Sequence, residues 1–357
     1  MSSKSEFTAE TTAIEVAAAF PGSIANRTFI ITGVSPNSIG FATAEALASQ
    51  KPARLVLAGR SIEKVNETII SLRSRYPEVV YDALLLDLSS QASVRAAADK
   101  INSSADIPKI HGIINNAGIM AIPEKTLVDG VELTFATNHV GHFLFTNLVI
   151  EKLIAAVKAS ETPVRIVNLT SFGHFFAPVR FSDINLDKKS VDLPEEERPL
   201  LEMTKQFYGQ DLSDVSYDGM MAYAQSKTAN VLYTISLNQK LGGKYGIESF
   251  AVHPGAVDTN ISQHVSQEEM DALKDRVSKM GIPLIQKTKE QGANTSVLAA
   301  VDPSLGPVDL SADVAKGVYL ADCKATEDGC APHAKRLKDA ERLWELTEGL
   351  VKQKFHF

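Results

Sequence analysis

Tyr223 and Lys227 stand four residues apart in the stretch YAQSK, which on a helix puts both side chains on one face, a turn apart. A phenol with an ordinary pKa of about 10 is a poor acid or base at neutral pH, and an ammonium beside it favours the phenolate. Such a pair can give or take a proton. Ser171, at the end of VRIVNLTS, offers a hydroxyl to an oxygen on which negative charge develops. His139 and His142 in NHVGH invite a metal, but two histidines three apart, with no cysteine or carboxylate pattern, make a weak ligand set, and no metal is expected.

The elements that must position these residues alternate along the chain. The apolar runs RTFIIT, RLVLAG, DALLLDL, IHGIINNAG, VRIVNLTS and IESFAVHPG are separated by helical patterns such as SIEKVNETIISLRSRY, FATNHVGHFLFTNLVIEKLIAAVKA and MAYAQSKTANVLYTISLNQKL. Continuous apolar strands with helices between them predict a parallel sheet buried on both faces, with right-handed crossovers. The fold class is α/β, a single-domain doubly wound (Rossmann) parallel sheet with helices on both faces. Residues 26–320 form that domain, after an N-terminal extension (1–25) with a short helix and before a C-terminal helical extension (321–357). The short helix is capped near Thr11 or Thr12 and turns Ile14, Ala17, Ala18 and Phe20 toward the domain. Two elaborations interrupt the alternation, an insertion at about 172–219 and a substrate-loop region at about 260–286. The first contains the charged, proline-broken KKSVDLPEEERPLLEMTKQ and is either a surface excursion or a lid.

Ligands of doubly wound sheets bind beyond the carboxyl ends of the strands. The strand ends here are Thr32-Gly33, Gly59-Arg60, Asp87-Leu88, Asn115-Asn116-Ala117-Gly118, Thr170-Ser171 and His253-Pro254-Gly255. The first of them opens the loop TGVSPNSIG, whose only glycines are Gly33 and Gly40. Asparagine is the non-glycine residue that best tolerates positive φ. Asn37 therefore makes the turn while backbone amides and the following helix N-terminus still face a pyrophosphate.

In chain order, T-G-loop-G, N-N-A-G, the Asn of TNHVGHF, Ser, Y-x-x-x-K and P-G resemble a short-chain dehydrogenase/reductase over about residues 26–300. RLVLAGR, RIVNLTS and the long gap before the tyrosine look most like the retinol-dehydrogenase and WW-domain-oxidoreductase branch. The C-terminal GVYLADCKA and ERLWELTEGLV are similar to soluble fungal members of it. The resemblance implies interconversion of a carbonyl and an alcohol. Tyr223 would be the general acid, Ser171 would hold the substrate oxygen, Lys227 would also bind the nicotinamide ribose, and Asn138 would hold a water linking Lys227 to solvent. The cofactor would meet Gly33, Ser35, Asn37, Ile39 and Gly40 at the pyrophosphate and Asp87 and Leu88 at the adenine. Asn115, Ala117 and Gly118 would follow the adenosine and ribose, with Pro254, Gly255, Val257 and Thr259 around the nicotinamide amide. An acidic residue after strand two would accept the ribose hydroxyls of NAD. This chain has Arg60 there, with Ser61 and Lys64 beside it, a cationic spot suited to a 2′-phosphate, so NADP(H) is expected.

Phe172, Phe175, Phe176, Met220 and Met221 lie near Ser171 and Tyr223 in sequence and are either substrate contacts or core. The expected substrate is a fairly apolar small molecule, a secondary-metabolite ketone or aldehyde. The same apparatus would serve an enone reductase or an epimerase, and a catalytically silent NADP(H)-binding regulatory protein is a further alternative.

Bulk properties fit these expectations. The 357 residues carry 36 basic and 43 acidic side chains, a net charge of −7, with no basic cluster of the kind nucleic acid requires. Cys323 and Cys330 form neither a disulfide framework nor a zinc set, which points to a reducing compartment. Glu6, Glu10 and Glu15 interrupt the N-terminal stretch and no run nears the roughly 18 apolar residues of a membrane span, so a cytoplasmic protein without a signal or span is expected. The long helix FATNHVGHFLFTNL is a candidate homodimer surface.

Overall fold

Thr12 opens the first helix, α1 (Ala13–Ala19), with a capping box: its hydroxyl accepts from the Glu15 amide, and the Glu15 carboxylate accepts from the Thr12 amide at 2.7 Å. The computed structural model describes residues 7–159, 163–280 and 285–357. After α1, β1 (Thr28–Thr32) leads to α2 (Ile39–Ala48), β2 (Arg54–Gly59) to α3 (Ile62–Arg75) and β3 (Val80–Leu85) to α4 (Gln91–Ser103). β4 (Gly112–Asn115) leads to α5 (Gly141–Leu148) and α6 (Ile150–Val157), and β5 (Val164–Leu169) to the insertion with α7 (Leu201–Tyr208). Then come α8 (Gly219–Leu237), β6 (Ile247–His253), α9 (Gln267–Lys279), α10 (Lys289–Val301), the hairpin of β7 (Tyr319–Ala321) and β8 (Lys324–Ala325), and α11 (Leu337–Val351).

The sheet order is β8-β7-β6-β5-β4-β1-β2-β3, parallel throughout except for β8. Successive residues of a strand point to opposite faces, and both faces are covered. Ile30, Val56 and Ile113 pack with α4, α5, α8 and α11, whereas Phe29, Ile31, Leu55 and Leu57 pack with α1, α2, α3 and α10. Continuous apolar runs follow from this double burial. The hairpin β7–β8 extends the sheet beyond the six strands expected, and the expected division at 320/321 passes through it.

Two expectations need correcting, and one open alternative narrows. The face α1 buries is Ala13, Val16 and Ala17, the i, i+3, i+4 set that meets α2 and α10; Ile14 is 38% exposed and Ala18 is exposed too. The long helix through TNHVGHF is not continuous. A π turn at Ala136–Val140 precedes α5, and the axis bends by 53° between Leu133–Leu148 and Ile150–Val157. That bent pair is apolar enough to pass as a broken span on composition, yet Phe143, Leu144 and Leu153 sit in the core, and no single described helix is long and apolar enough to cross a membrane. Finally, Phe176, Leu186, Leu212 and Met221 build a small core of their own with Phe207 and Tyr208, so much of the insertion's aromatic content is packing. Its helix α7 meets α9 through Arg276, whose Nε donates to the Phe207 carbonyl at 3.0 Å, which joins the two elaborations.

The tightest helix contact near the site is at Gly141, where a Cβ would fall on the Leu88 carbonyl oxygen and side chain. Gly141→Ala is expected to destabilise the fold by about 1–3 kcal/mol through this overpacking. Urea unfolding checks it: the midpoint should drop with the m-value unchanged.

Candidate active site

The strand order reverses between β1 and β4, which opens a crevice beyond their carboxyl ends. Gly33 has φ +71° and Asn37 φ +59°, so the asparagine takes the left-handed turn expected of it. Ser38 caps α2, its hydroxyl accepting from the Phe41 amide at 3.0 Å and donating to the Ser35 carbonyl at 2.7 Å. A Cβ on Gly33 would lie 2.6 Å from the Ala117 Cα, and one on Gly40 would lie 2.7 Å from the Gly33 carbonyl oxygen. Ile39 is the first residue of α2. The loop, the helix N-terminus and the end of β4 are thus in close contact, and the first turn of α2, whose leading amides have no partner within a helix, begins at the crevice.

Other cofactor candidates divide by where the side chain goes. Asn116 holds the loop, its Nδ2 donating to the Thr32 carbonyl at 2.8 Å. Asn115 turns the other way. It is 1% exposed and donates to Thr146 at 3.1 Å and to Asn168 at 2.8 Å, and Asn168 donates on to Thr234 and Ser249, so a buried amide ladder ties β4, β5, β6 and α8 together. Asn115 therefore positions strands instead of lining the crevice with its side chain. Asp87 is half-buried and accepts from the Ser89 amide at 3.0 Å, while Leu88 is buried against Gly141. Arg60 and Lys64 are exposed around the start of α3, which Ser61 caps. Past β6, Pro254 precedes Gly255, whose φ is +87° and which packs on the Lys287 side chain. Val257 pairs in parallel with Lys287, and Thr259 caps the turn Asn260–Ser262. A groove with a glycine cradle at one end, cations at the exposed edge and a second positive-φ glycine at the other suits an extended anionic dinucleotide.

The candidate catalytic side chains converge on α8, which Asp218 caps by accepting from the Met220 and Met221 amides. Lys227 Nζ stands 5.4 Å from the Tyr223 ring centroid and donates to the Leu169 carbonyl at 3.0 Å. Ser171 is hydrogen-bonded to Tyr223 and accepts from the Gly173 amide at 3.1 Å. Asn138, inside the π turn, accepts from the Ile119 amide and donates to the Ile119 carbonyl and to Ser226, each at 2.9 Å. A Cβ on Gly118 would sit 3.3 Å from Asn138 Oδ1 and 3.4 Å from Lys227 Nζ, so this loop lies closely against both groups.

The electrostatics depart from expectation. Burial raises the Tyr223 phenol to about 12, the Ser171 hydrogen bond opposing it, and burial lowers Lys227 to about 7. With the two residues only 6% and 3% exposed, loss of water outweighs the attraction of ammonium for phenolate, and each group favours its neutral form.

Two connections went unseen in the sequence. The Asn138 carbonyl accepts from His142 Nδ1 at 3.0 Å, so Nε2 of the neutral ring accepts from the Thr32 hydroxyl at 2.9 Å, and Thr32 Oγ1 in turn accepts from the Ala117 amide at 3.0 Å. His142 thus pins the glycine loop to the π turn, and His139 Nε2 is taken by Thr347 of α11 at 2.9 Å. Second, Tyr208 of α7 lies close enough to Tyr223 for the two phenols to interact; burial first, then Tyr223, holds the Tyr208 hydroxyl well above its ordinary pKa.

Comparison with known proteins places this geometry. The family model for short chain dehydrogenase matches residues 27–181. The chain is 39% identical to Oxidoreductase fscI of Fusarium equiseti over 250 residues, covering 70% of this chain and 94% of that protein. It is 32% identical to Retinol dehydrogenase 12 of Mus musculus over 324 residues, covering 91% and 86%. Among solved structures, an uncharacterized protein from Mycobacterium paratuberculosis aligns at 27% identity with a TM-score of 0.63, covering 96% of this chain and 98% of that one. The NADPH-bound carbonyl reductase from chicken fatty liver shares the fold at 17% identity, with a TM-score of 0.53 over 85% and 99% of the chains.

Proposed function

This chain belongs to the short-chain dehydrogenase family, and we propose that it is an NADP(H)-dependent reductase that interconverts a carbonyl and an alcohol on a fairly apolar small molecule, a secondary-metabolite ketone or aldehyde. The observation that carries this reading is the meeting of four side chains at the crevice, Asn138 and Lys227 against Gly118, Tyr223 and Ser171 against Gly173, with Lys227 Nζ 5.4 Å from the Tyr223 ring centroid. The nicotinamide, when bound, supplies the hydride. Tyr223 gives its phenolic proton to the substrate oxygen, which Ser171 holds by a hydrogen bond that strengthens as charge develops. Lys227 stabilises the phenolate left behind, and Asn138 fixes the Ile119 backbone beside it. The glycine loop and the α2 N-terminus hold the pyrophosphate, and Arg60 with Lys64 takes the 2′-phosphate. The names of relatives, a retinol dehydrogenase and an oxidoreductase, fit an apolar alcohol or its carbonyl.

The experiment is fluorescence titration with NADPH followed by NADPH oxidation with apolar ketones, aldehydes and enones. Turnover of ketones or aldehydes alone supports the reading; turnover of enones alone favours C=C reduction, and tight binding with no turnover favours a silent cofactor-binding protein. The pH profile is a further expectation. Because burial holds Lys227 at about 7, reduction should be fast below that pH and slow above it, where the lysine loses the proton that stabilises the phenolate. Measuring kcat between about pH 5.5 and 9.5 checks it, and a rate that climbs across this range would assign the proton to another group.

A further inference from the structure

A cavity of about 730 Å³ opens beside the Ser171 turn, walled by Phe172, Phe175 and Tyr319 and bordered by His253, Asp322 and Lys324. Phe172 and Phe175 belong to the short turn that Ser171 caps, and their ring centroids are 5.1 Å apart. His253 ends β6 and leads directly into Pro254-Gly255. The cavity therefore lies between the turn that follows Ser171 and the β7–β8 hairpin, and Thr8 and Ala9 of the N-terminal segment, tied down where Asn294 donates to the Thr8 and Thr11 carbonyls, border it as well. A space this large suits a ring-bearing molecule, not only a small ketone.

The polar lining indicates what the ligand carries. Asp322 is ion-paired with the buried Lys287, and Lys324 and Asp328 offset each other at the rim, so no net charge is left to recruit an ion. His253 Nδ1 is buried without a partner, and its Nε2 makes no hydrogen bond among the described residues. Burial, helped by Lys287 and opposed by Asp322, holds the ring at about 4, so it is neutral and offers one N–H and one lone pair. A hydroxyl, donor and acceptor at once, complements a neutral imidazole at Nε2, the ring nitrogen not enclosed by the protein, whichever tautomer is present.

We propose that this cavity is the subsite for the remote end of the substrate, and that His253 is the specificity-determining residue, selecting a ring-bearing carbonyl compound with a hydroxyl far from the reacting carbon. This deepens the reductase reading and rests on it. The probes are 4-phenylbutan-2-one and its 4-hydroxyphenyl analogue, which differ only in the remote hydroxyl, used with wild type, His253→Leu and His253→Gln. In kcat/KM for NADPH oxidation, wild type should prefer the phenol about tenfold, His253→Leu should bring the ratio near one, and His253→Gln, which keeps a hydrogen-bonding group, should restore part of it. A histidine with a structural role alone would lower both ketones together and leave the ratio at its wild-type value, which overturns the proposal, as does a wild-type ratio of one. Calorimetric titration of both compounds separates the subsite from the reaction. If neither ketone turns over, a binding preference for the phenol that His253→Leu abolishes supports the subsite while the reductase reading falls. Equal or absent binding overturns the subsite. His253→Asn, polar but too short to reach, takes the place of the leucine variant if that protein does not fold.

Discussion

Tyr223→Phe should lower kcat for NADPH-dependent ketone reduction about 10³-fold, near 4 kcal/mol of barrier, with the Kd for NADPH changed less than about twofold. The substitution removes one oxygen and keeps the ring, so packing around Gly173 and on α8 stays as it is. What it removes is the phenol hydroxyl bonded to Ser171. With the phenol held at about 12 and Lys227 at about 7, the pair stores the proton on the tyrosine at neutral pH, which is the form an acid needs before reduction. Loss of the acid therefore reaches the chemical step and spares cofactor binding. Single-turnover kinetics beside fluorescence titration checks both halves. Turnover surviving in the variant would hand the proton to Tyr208, the neighbouring phenol, and Tyr208→Phe in the same background would then abolish it.

The sequence was most readable where one physical rule dominates. Ile30-Ile31, Val56-Leu57 and Ile113-Ile114 sit in strands buried on both faces, so composition alone exposes them. Asn37 was readable because only a few residue types accept its φ. Legibility failed where tertiary context decides. Tyr319–Ala321 is too short to show a period and becomes a strand only because β6 offers an edge. The two asparagines of INNAG have the same side chain, and only the fold sends Asn116 to the glycine loop and Asn115 into the amide ladder. The proximity of Tyr223 and Lys227 was legible from spacing; the depth of burial that reverses the expected pKa directions was not. The π turn at Asn138 likewise has no marker in TNHVGHF, and the contacts made from it, Asn138 to Ile119 and His142 to Thr32, exist only in the folded chain.

Arg60→Glu should weaken NADPH binding about 100-fold and leave NADH binding unchanged or tighter, so that the preference between them collapses. Arg60 follows Gly59 at the end of β2 and precedes Ser61, the cap of α3, with Lys64 in the first turn. Glu63 already meets the positive end of the helix dipole, accepting from the Ser61 hydroxyl at 2.8 Å, and Arg60 and Lys64 beside it leave the spot with one more cation than anion. A 2′-phosphate answers that excess through charge-assisted hydrogen bonds to a planar guanidinium, and a ribose hydroxyl does not. Glutamate reverses the sign, repelling the phosphate while accepting from the hydroxyls of NADH. Because Arg60 is exposed, the NADPH preference of wild type should also shrink as salt rises, whereas the variant should be nearly insensitive. Fluorescence titration with both nucleotides at low and high ionic strength reads both effects. A wild-type preference that survives the charge reversal would place phosphate recognition on another cation, and Lys64→Glu would then be the variant that moves it.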